Sequence, residues 1–187
     1  MQPYTLKIIV IKVFILLSLC YVTNAQAVDF AIRLGQGGLR DDRVPDGKLG
    51  GGQVAVDITL GELPIMISLS SEYYKKSPEA TYPYEINDMT VVYVLYTIPV
   101  PIERKSNIYL GGGVGVLEVP KDGGDSDSME RGIALDLAAG INTRVFWRLG
   151  IYVEGKYIYS NETAGETEVI DFSDFGALVG ISYNSDW

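Results

Sequence analysis

The chain has 187 residues, a formal charge of −9, 21 glycines, 13 tyrosines, one cysteine and no histidine. Without histidine it lacks the usual general base at neutral pH and the commonest transition-metal ligand, and a single cysteine cannot build a disulfide framework. An acidic chain with no run of basic residues also argues against nucleic acid, because phosphate binding needs Lys/Arg neutralisation.

Residues 1–27 read as a secretion signal. Lys7 and Lys12 precede and enter an apolar run from Ile8 to Leu19, and Ala25-Gln26-Ala27 supplies a small-x-small cleavage pattern. A lipoprotein site ending at Cys20 is the rival, but Leu19 is larger than that processing step usually accepts. Removing 27 of 187 residues leaves 160, the size of one domain, 28–187. Removing two of 15 basic residues and none of 24 acids makes its charge −11. The apolar run falls short of the roughly 20 residues a helix needs to span a bilayer, which excludes a helical membrane protein.

From Val28 onward the pattern has period two. Phe30, Ile32 and Leu34 alternate with Asp29, Ala31 and Arg33; then Val54, Val56, Ile58 and Leu60 with Gln53, Ala55, Asp57 and Thr59. A third strand sets Ile65, Ile67, Leu69 and Tyr73 against Met66, Ser68, Ser70 and Glu72. The fourth, about Met89 to Pro99, is apolar on both faces, so its orientation stays open. Ile108, Leu110, Val114 and Val116 oppose Tyr109, Gly111, Gly113 and Gly115; Ile133, Leu135, Leu137, Ala139 and Ile141 oppose Ala134, Asp136, Ala138, Gly140 and Asn142. Leu149, Ile151, Val153, Tyr157 and Tyr159 oppose Arg148, Gly150, Tyr152, Glu154 and Lys156. The last strand sets Phe175, Ala177, Val179, Ile181 and Tyr183 against Gly176, Leu178, Gly180 and Ser182.

The connections alternate in length. Gln36 to Gly52, Lys75 to Asp88, Pro120 to Arg131 and Ser160 to Asp171 are long and polar, whereas Gly61 to Pro64, Val100 to Asn107 and Thr143 to Phe146 are short. An up-and-down meander then gathers the long loops at one end, the asymmetry of an outer-membrane barrel. Charge separates the faces. The apolar series of the seven clear strands holds no Asp, Glu, Lys or Arg, while the other holds Asp29, Arg33, Asp57, Glu72, Asp136, Arg148, Glu154 and Lys156. A cation facing the bilayer midplane costs about 2–4 kcal/mol, so the charge-free face is expected to meet lipid. Arginine is therefore expected to be harder to place at Leu135 or Val179 than at Ser70.

Trp187 ends the chain, with Val179, Ile181 and Tyr183 before it in register; only Ser185 interrupts the series. This resembles the C-terminal signature by which outer-membrane proteins are handed to the barrel assembly machinery. Ile108-Tyr109-Leu110-Gly111-Gly112-Gly113-Val114-Gly115-Val116 resembles the Y-x-G-x-G-x-G strand of the outer-membrane-protein β-barrel family, the small OmpA/OmpX/OmpW-like barrels. Residues 138–144 followed by Leu149 to Tyr159 are similar to that family's penultimate hairpin. The resemblance implies an all-β, eight-stranded antiparallel up-and-down transmembrane barrel in the bacterial outer membrane, among lipid and lipopolysaccharide. It names no ligand or cofactor.

For chemistry the sequence offers carboxylates. Asp57, Glu72, Asp136 and Glu154 are expected in the lumen, with Arg33, Arg148 and Lys156 as ion-pair partners. A lumen of eight strands is only just wide enough for side chains, so structural pairing is preferred to catalysis. Asp122, Asp125 and Asp127 on a Gly-rich stretch are weak candidates for a hard cation, and a solvated loop is the simpler account. The expected function is a non-enzymatic, monomeric envelope protein that makes surface contacts through acidic loops. A narrow porin-like channel is the alternative, and a soluble periplasmic barrel is a third.

Overall fold

A computed structural model describes residues 28–40, 48–60, 63–76, 86–100, 106–120, 129–164 and 168–185. Eight strands run in chain order: β1 Val28–Arg40, β2 Lys48–Leu60, β3 Ile65–Lys76, β4 Ile86–Val100, β5 Ser106–Pro120, β6 Met129–Phe146, β7 Leu149–Ala164 and β8 Glu168–Asn184. Each pairs antiparallel with the next, and β8 closes on β1, so the sheet has no free edge.

The ladder fixes the barrel's geometry. Stepping straight across the strands from Asp29 leads through Thr59, Met66, Leu95, Gly111, Ala138, Lys156 and Gly176 to Leu39. Closure therefore staggers the strands by ten residues, from position 29 to position 39, and tilts them steeply to the axis.

The long strands exceed the alternating cores seen in the sequence. Gln36 pairs with Gly52 and Arg40 with Lys48, in a stretch the sequence reading assigned to a loop. Gly37, Gly38, Gly50 and Gly51 carry no side chain, so this part of the ladder leaves no alternation to read. Likewise Ser160 to Ala164 pair with Phe172 to Glu168. The turn between β6 and β7 falls at Trp147–Arg148, beyond the expected Thr143 to Phe146, with a bulge at Arg144/Phe146.

The apolar series faces outward. Val94, Leu137, Val179 and Ile181 are each about 60% exposed, whereas Arg33, Asp57, Glu72, Asp136 and Glu154 are almost fully buried inside. Such an inverted distribution suits a chain whose solvent is lipid, and the barrel is a transmembrane one. The structure also settles β4: Met89, Val91, Tyr93 and Leu95 point inward, and Val92, Val94, Tyr96 and Ile98 outward. A bulge between Met89 and Ile86, opposite Glu72 and Tyr74, resets the alternation at the strand's start. Both ends of the described chain and the turn at Trp147–Arg148 lie at one end of the barrel, called here the terminal end; the opposite end is the loop end.

Candidate functional site: the filled lumen

At the terminal end the lumen opens into a cavity of about 80 Å³ lined by Asp29, Thr59, Thr97, Asn107, Asn142 and Asn184. Ser182 donates to Asn142 Oδ1 at 2.7 Å, and the Asn184 amide donates to Ser182 at 3.0 Å, a polar wall shared by β6 and β8. Arg33, Asp57 and Tyr109 line the cavity as well and tie it to the charged middle of the barrel.

Arg33 organises that middle. Its Nε and Nη2 donate to the two oxygens of Asp57 at 2.7 and 3.0 Å, a forked pairing that only a guanidinium makes. Its Nη1 donates to Glu154 and to Tyr109 Oη, and Nη2 also reaches Ser68 Oγ at 3.2 Å. The guanidinium stands 5.0 and 5.2 Å from the ring centroids of Tyr109 and Tyr152. Its charge is thus met at the edge by carboxylates and at the face by aromatic rings.

Lys156 is the second centre. Its Nζ lies 2.5 Å from Glu72, 3.4 Å from Glu154 and 3.8 Å from Asp136, with Tyr93 Oη at 3.2 Å. Glu154 links the two cations. Gln53 bridges as well, its amide donating to Glu72 and Glu154 at 3.0 Å each while its carbonyl accepts from Tyr152 Oη at 2.8 Å. Glu72 also accepts from Ser70 and Tyr74, and Asp136 from Tyr93. The network joins Asp57, Glu72, Asp136 and Glu154 to Arg33 and Lys156, so acid outnumbers base. Asp136 Oδ1 is the one oxygen of these four carboxylates left without a hydrogen-bond partner. Attraction between such charges is strong where water is scarce, and each must keep its partners to stay buried.

Four tyrosines crowd this cross-section because glycines make room for them. A Cβ on Gly35 would sit 2.0 Å from Tyr152 Oη, and one on Gly140 would sit 2.5 Å from Tyr109. The same relation holds for Tyr93 on Gly113 and Tyr74 on Gly51. Any larger residue at these glycines would displace a ring and break its hydrogen bond. The glycine strand Gly111–Gly115 therefore serves packing, with inward Gly113 lying beneath Tyr93.

Beyond the network the lumen becomes mainly apolar toward the loop end. Leu39, Ile86, Met89, Val91, Leu117, Ala134 and Ile158 are buried in one cluster with the ring of Tyr74, and Asp174, across the ladder from Ile158, and Ser160 are buried at the same end. A Cβ on Gly176 would meet Leu39 at 2.5 Å and the Lys156 stem at 3.1 Å, so this apolar layer sits directly on the ionic one.

Of the residues predicted for the lumen, Arg33, Asp57, Glu72, Asp136, Glu154 and Lys156 are brought together. Arg148 is not. It occupies the tight turn at the terminal rim, before the inward series of β7 begins at Gly150. It donates to Tyr183 Oη at 3.2 Å and stands 5.5 Å from the Trp147 ring, and it pairs with no carboxylate among the described residues. Trp147 takes a left-handed φ of 51°, rare for a bulky residue, and packs edge-on to Tyr183. Val179 and Ile181 stand outward on β8, with Tyr183 after them in the outward series. Trp187 and the weak cation candidates Asp122, Asp125 and Asp127 lie outside the described residues, as does the 1–27 segment, whereas Glu130, Glu162, Glu168 and Asp171, in stretches expected to be loops, stand in the ladders of β6, β7 and β8.

Sequence reasoning put Gln53, Ser68, Ser70, Tyr109 and Tyr152 on the inward face but gave them no role. A signal was present: tyrosine on the same face as glycine and carboxylate has a polar edge to satisfy and space in which to lie.

Solved structures share this architecture. The chain matches Neisserial surface protein A with a TM-score of 0.60 and 11% identity, over 88% of this chain and 100% of that one. It matches the N-terminal β-barrel domain of Pseudomonas aeruginosa OprF with a TM-score of 0.53 and 14% identity, over 85% and 98%. The chain has the fold of the small outer-membrane β-barrels. A major outer membrane protein from Thermus thermophilus also aligns, at a TM-score of 0.54 and 12% identity, over 85% and 100%. No protein-family model matches the chain, and no curated protein matches it in sequence.

Proposed function

We propose that this barrel is a non-enzymatic protein of the bacterial outer membrane, exported by a cleaved signal at 1–27, that acts in envelope structure or surface contact and moves no solute. The observation that carries this reading is the lumen's filling. The cavity at the terminal end meets Arg33, Asp57 and Tyr109, the ionic network lies behind them, and an apolar layer follows toward the loops. A hydrated path would have to cross paired charge and then a tightly filled, mainly apolar layer, and apolar lining resists wetting. On this reading the lumenal carboxylates hold the wall together and are committed to their partners. Contact with lipid and lipopolysaccharide falls to the exterior and the loops. Delivery to the barrel assembly machinery would use Val179, Ile181, Tyr183 and Trp187, and the barrel would work as a monomer.

Purified protein in planar bilayers tests the sealed lumen directly. Little or no conductance is expected; steady cation-selective current would establish the channel alternative, since an open lumen rich in acid attracts cations. Unboiled and boiled samples on a gel check the membrane reading, with a heat-dependent shift in migration expected of a detergent-resistant barrel.

A further inference from the structure

Several inward side chains at the terminal end take no part in the ionic network and face the cavity instead. Asp29 and Thr59 are ladder partners on one wall, and Asn107 and Asn142 are ladder partners on another. The two walls stand opposite, since β1–β2 and β5–β6 lie across from each other in a closed ring of eight strands. Asn184 on β8 extends the amide wall, its Oδ1 accepting from the Asn142 amide at 3.3 Å. Thr97 adds a hydroxyl, and Ala31 and Met66 add an apolar strip. Asn142 and Asn184 are buried, whereas Asp29 is half-buried at the rim.

The spare capacity of these walls is for accepting hydrogen bonds. Asn142 Oδ1 takes the Ser182 hydroxyl and Asn184 Oδ1 takes the Asn142 amide, which leaves each carbonyl oxygen a second lone pair. Asp29 offers a carboxylate, an acceptor only. The floor gives an anion nothing to bind. All five N–H groups of Arg33 are committed, to both oxygens of Asp57 and to Ser68, Tyr109 and Glu154. Charge points the same way: Asp29 at the mouth adds a carboxylate to a network in which Asp57, Glu72, Asp136 and Glu154 already outnumber Arg33 and Lys156. Arg144, two residues past Asn142 on β6, is not part of the lining. A bare metal ion lacks its ligands, because no group of three acids, cysteines or histidines placed to hold one occurs among the described residues.

We propose that this cavity binds a primary alkylammonium group. Asp29 is its counter-ion, the Asn142 and Asn184 carbonyls with the hydroxyls of Thr59 and Thr97 take its N–H donors, and Ala31 and Met66 pack its methylenes. At roughly 10–15 Å³ for one water, the cavity of about 80 Å³ suits an ammonium on a short alkyl stem. The lumen behind is filled, so the group is held at the mouth and carried no further. A free amine and the lysine of a polypeptide both present such a group. That the site faces the periplasm rests on the membrane reading above; ammonium binding does not, and the test separates the two.

The test follows the asparagine side-chain amide resonances of the folded barrel in zwitterionic micelles during titration with n-butylammonium. Saturable shifts at Asn142 and Asn184 are expected, and 1-butanol and butyrate at the same concentrations should cause none. Asp29→Asn should raise the Kd about tenfold. Asn107→Asp, which places a carboxylate on the opposite wall, should lower it, and Arg144→Gln should not raise it. Acetyl-Gly-Lys-Gly-amide distinguishes the sources: binding tighter than that of butylammonium assigns the site to a polypeptide's lysine, and weaker binding assigns it to a free amine. Equal shifts with 1-butanol, or a Kd unmoved by both Asp29→Asn and Asn107→Asp, overturn the proposal. So does binding that emerges only after Lys105→Gln, because Lys105, next to Ser106 in sequence, would then be the chain's own occupant. A barrel that folds without any amphiphile and still binds butylammonium overturns the membrane reading and leaves the site standing.

Discussion

In the middle of the barrel Arg33, Glu154, Lys156 and Glu72 fill the cross-section with paired charge, whereas toward the loop end Leu39, Met89, Leu117 and Ile158 fill it with apolar surface. Both regions are almost completely buried, yet they resist change for different reasons. A charged layer is held by reciprocity: each ion stays buried only while its partners do, so removing one leaves the others stranded. An apolar layer is held by volume, and its losses follow the space left behind. The first should fail as a unit and the second piecemeal.

The largest effect is expected from Arg33→Met, which strands Asp57 and Glu154. Unfolding in urea from lipid vesicles should show a loss of about 3–5 kcal/mol. Combining it with Asp57→Leu and Glu154→Gln should recover much of that loss, because the unpaired charges go too. Additive losses in the triple variant would show instead that the residues act separately.

In the apolar layer, Met89→Ala or Ile158→Ala should cost about 2–5 kcal/mol by the same measurement. Their effects should add to that of Arg33→Met if the two layers are independent. Coupling above about 0.5 kcal/mol would mean that Leu39 transmits strain to the Lys156 stem beneath it.

A change on the outer wall gives the reference for both. Val179→Arg, near mid-belt, should lower folding into bilayers by about 2–4 kcal/mol, with little change when the same protein is folded in a zwitterionic detergent that the arginine can escape. The smallest expected effect is that of Tyr93→Phe. It removes a hydroxyl shared by Asp136, Lys156 and Glu72, and a loss of about 1–3 kcal/mol in urea unfolding is the outcome to look for.

Much of this architecture was legible from the pattern alone. Strands such as Gln53 to Leu60 and Phe175 to Tyr183 announce themselves because one face must be free of charge and the next residue lies on the other face. The rule failed where side chains are missing or uniform. Gly37, Gly38, Gly50 and Gly51 hid the outer ladder of β1 and β2, and β4 was apolar on both faces because its inner face packs Met89, Val91 and Leu95 into the lumen. Arg148 was misplaced by a short-range effect: parity counted from β7 carries it inward, but it stands in a two-residue turn, outside the ladder.

The sequence by itself determined which residues face lipid and which face the lumen, since alternation and the cost of a charge in hydrocarbon are local properties of each strand. Partners were decided only by register and closure. The pairing of β1 with β2 sets Arg33 beside Asp57, and a stagger of ten residues sets which levels of β1, β5 and β7 meet across the lumen, and so brings Arg33 to Tyr109 and Glu154. Ser70 shows the consequence. Its inward parity made it look tolerant of arginine, yet in the closed barrel it is fully buried between Gln53 and Glu72, where no longer side chain fits.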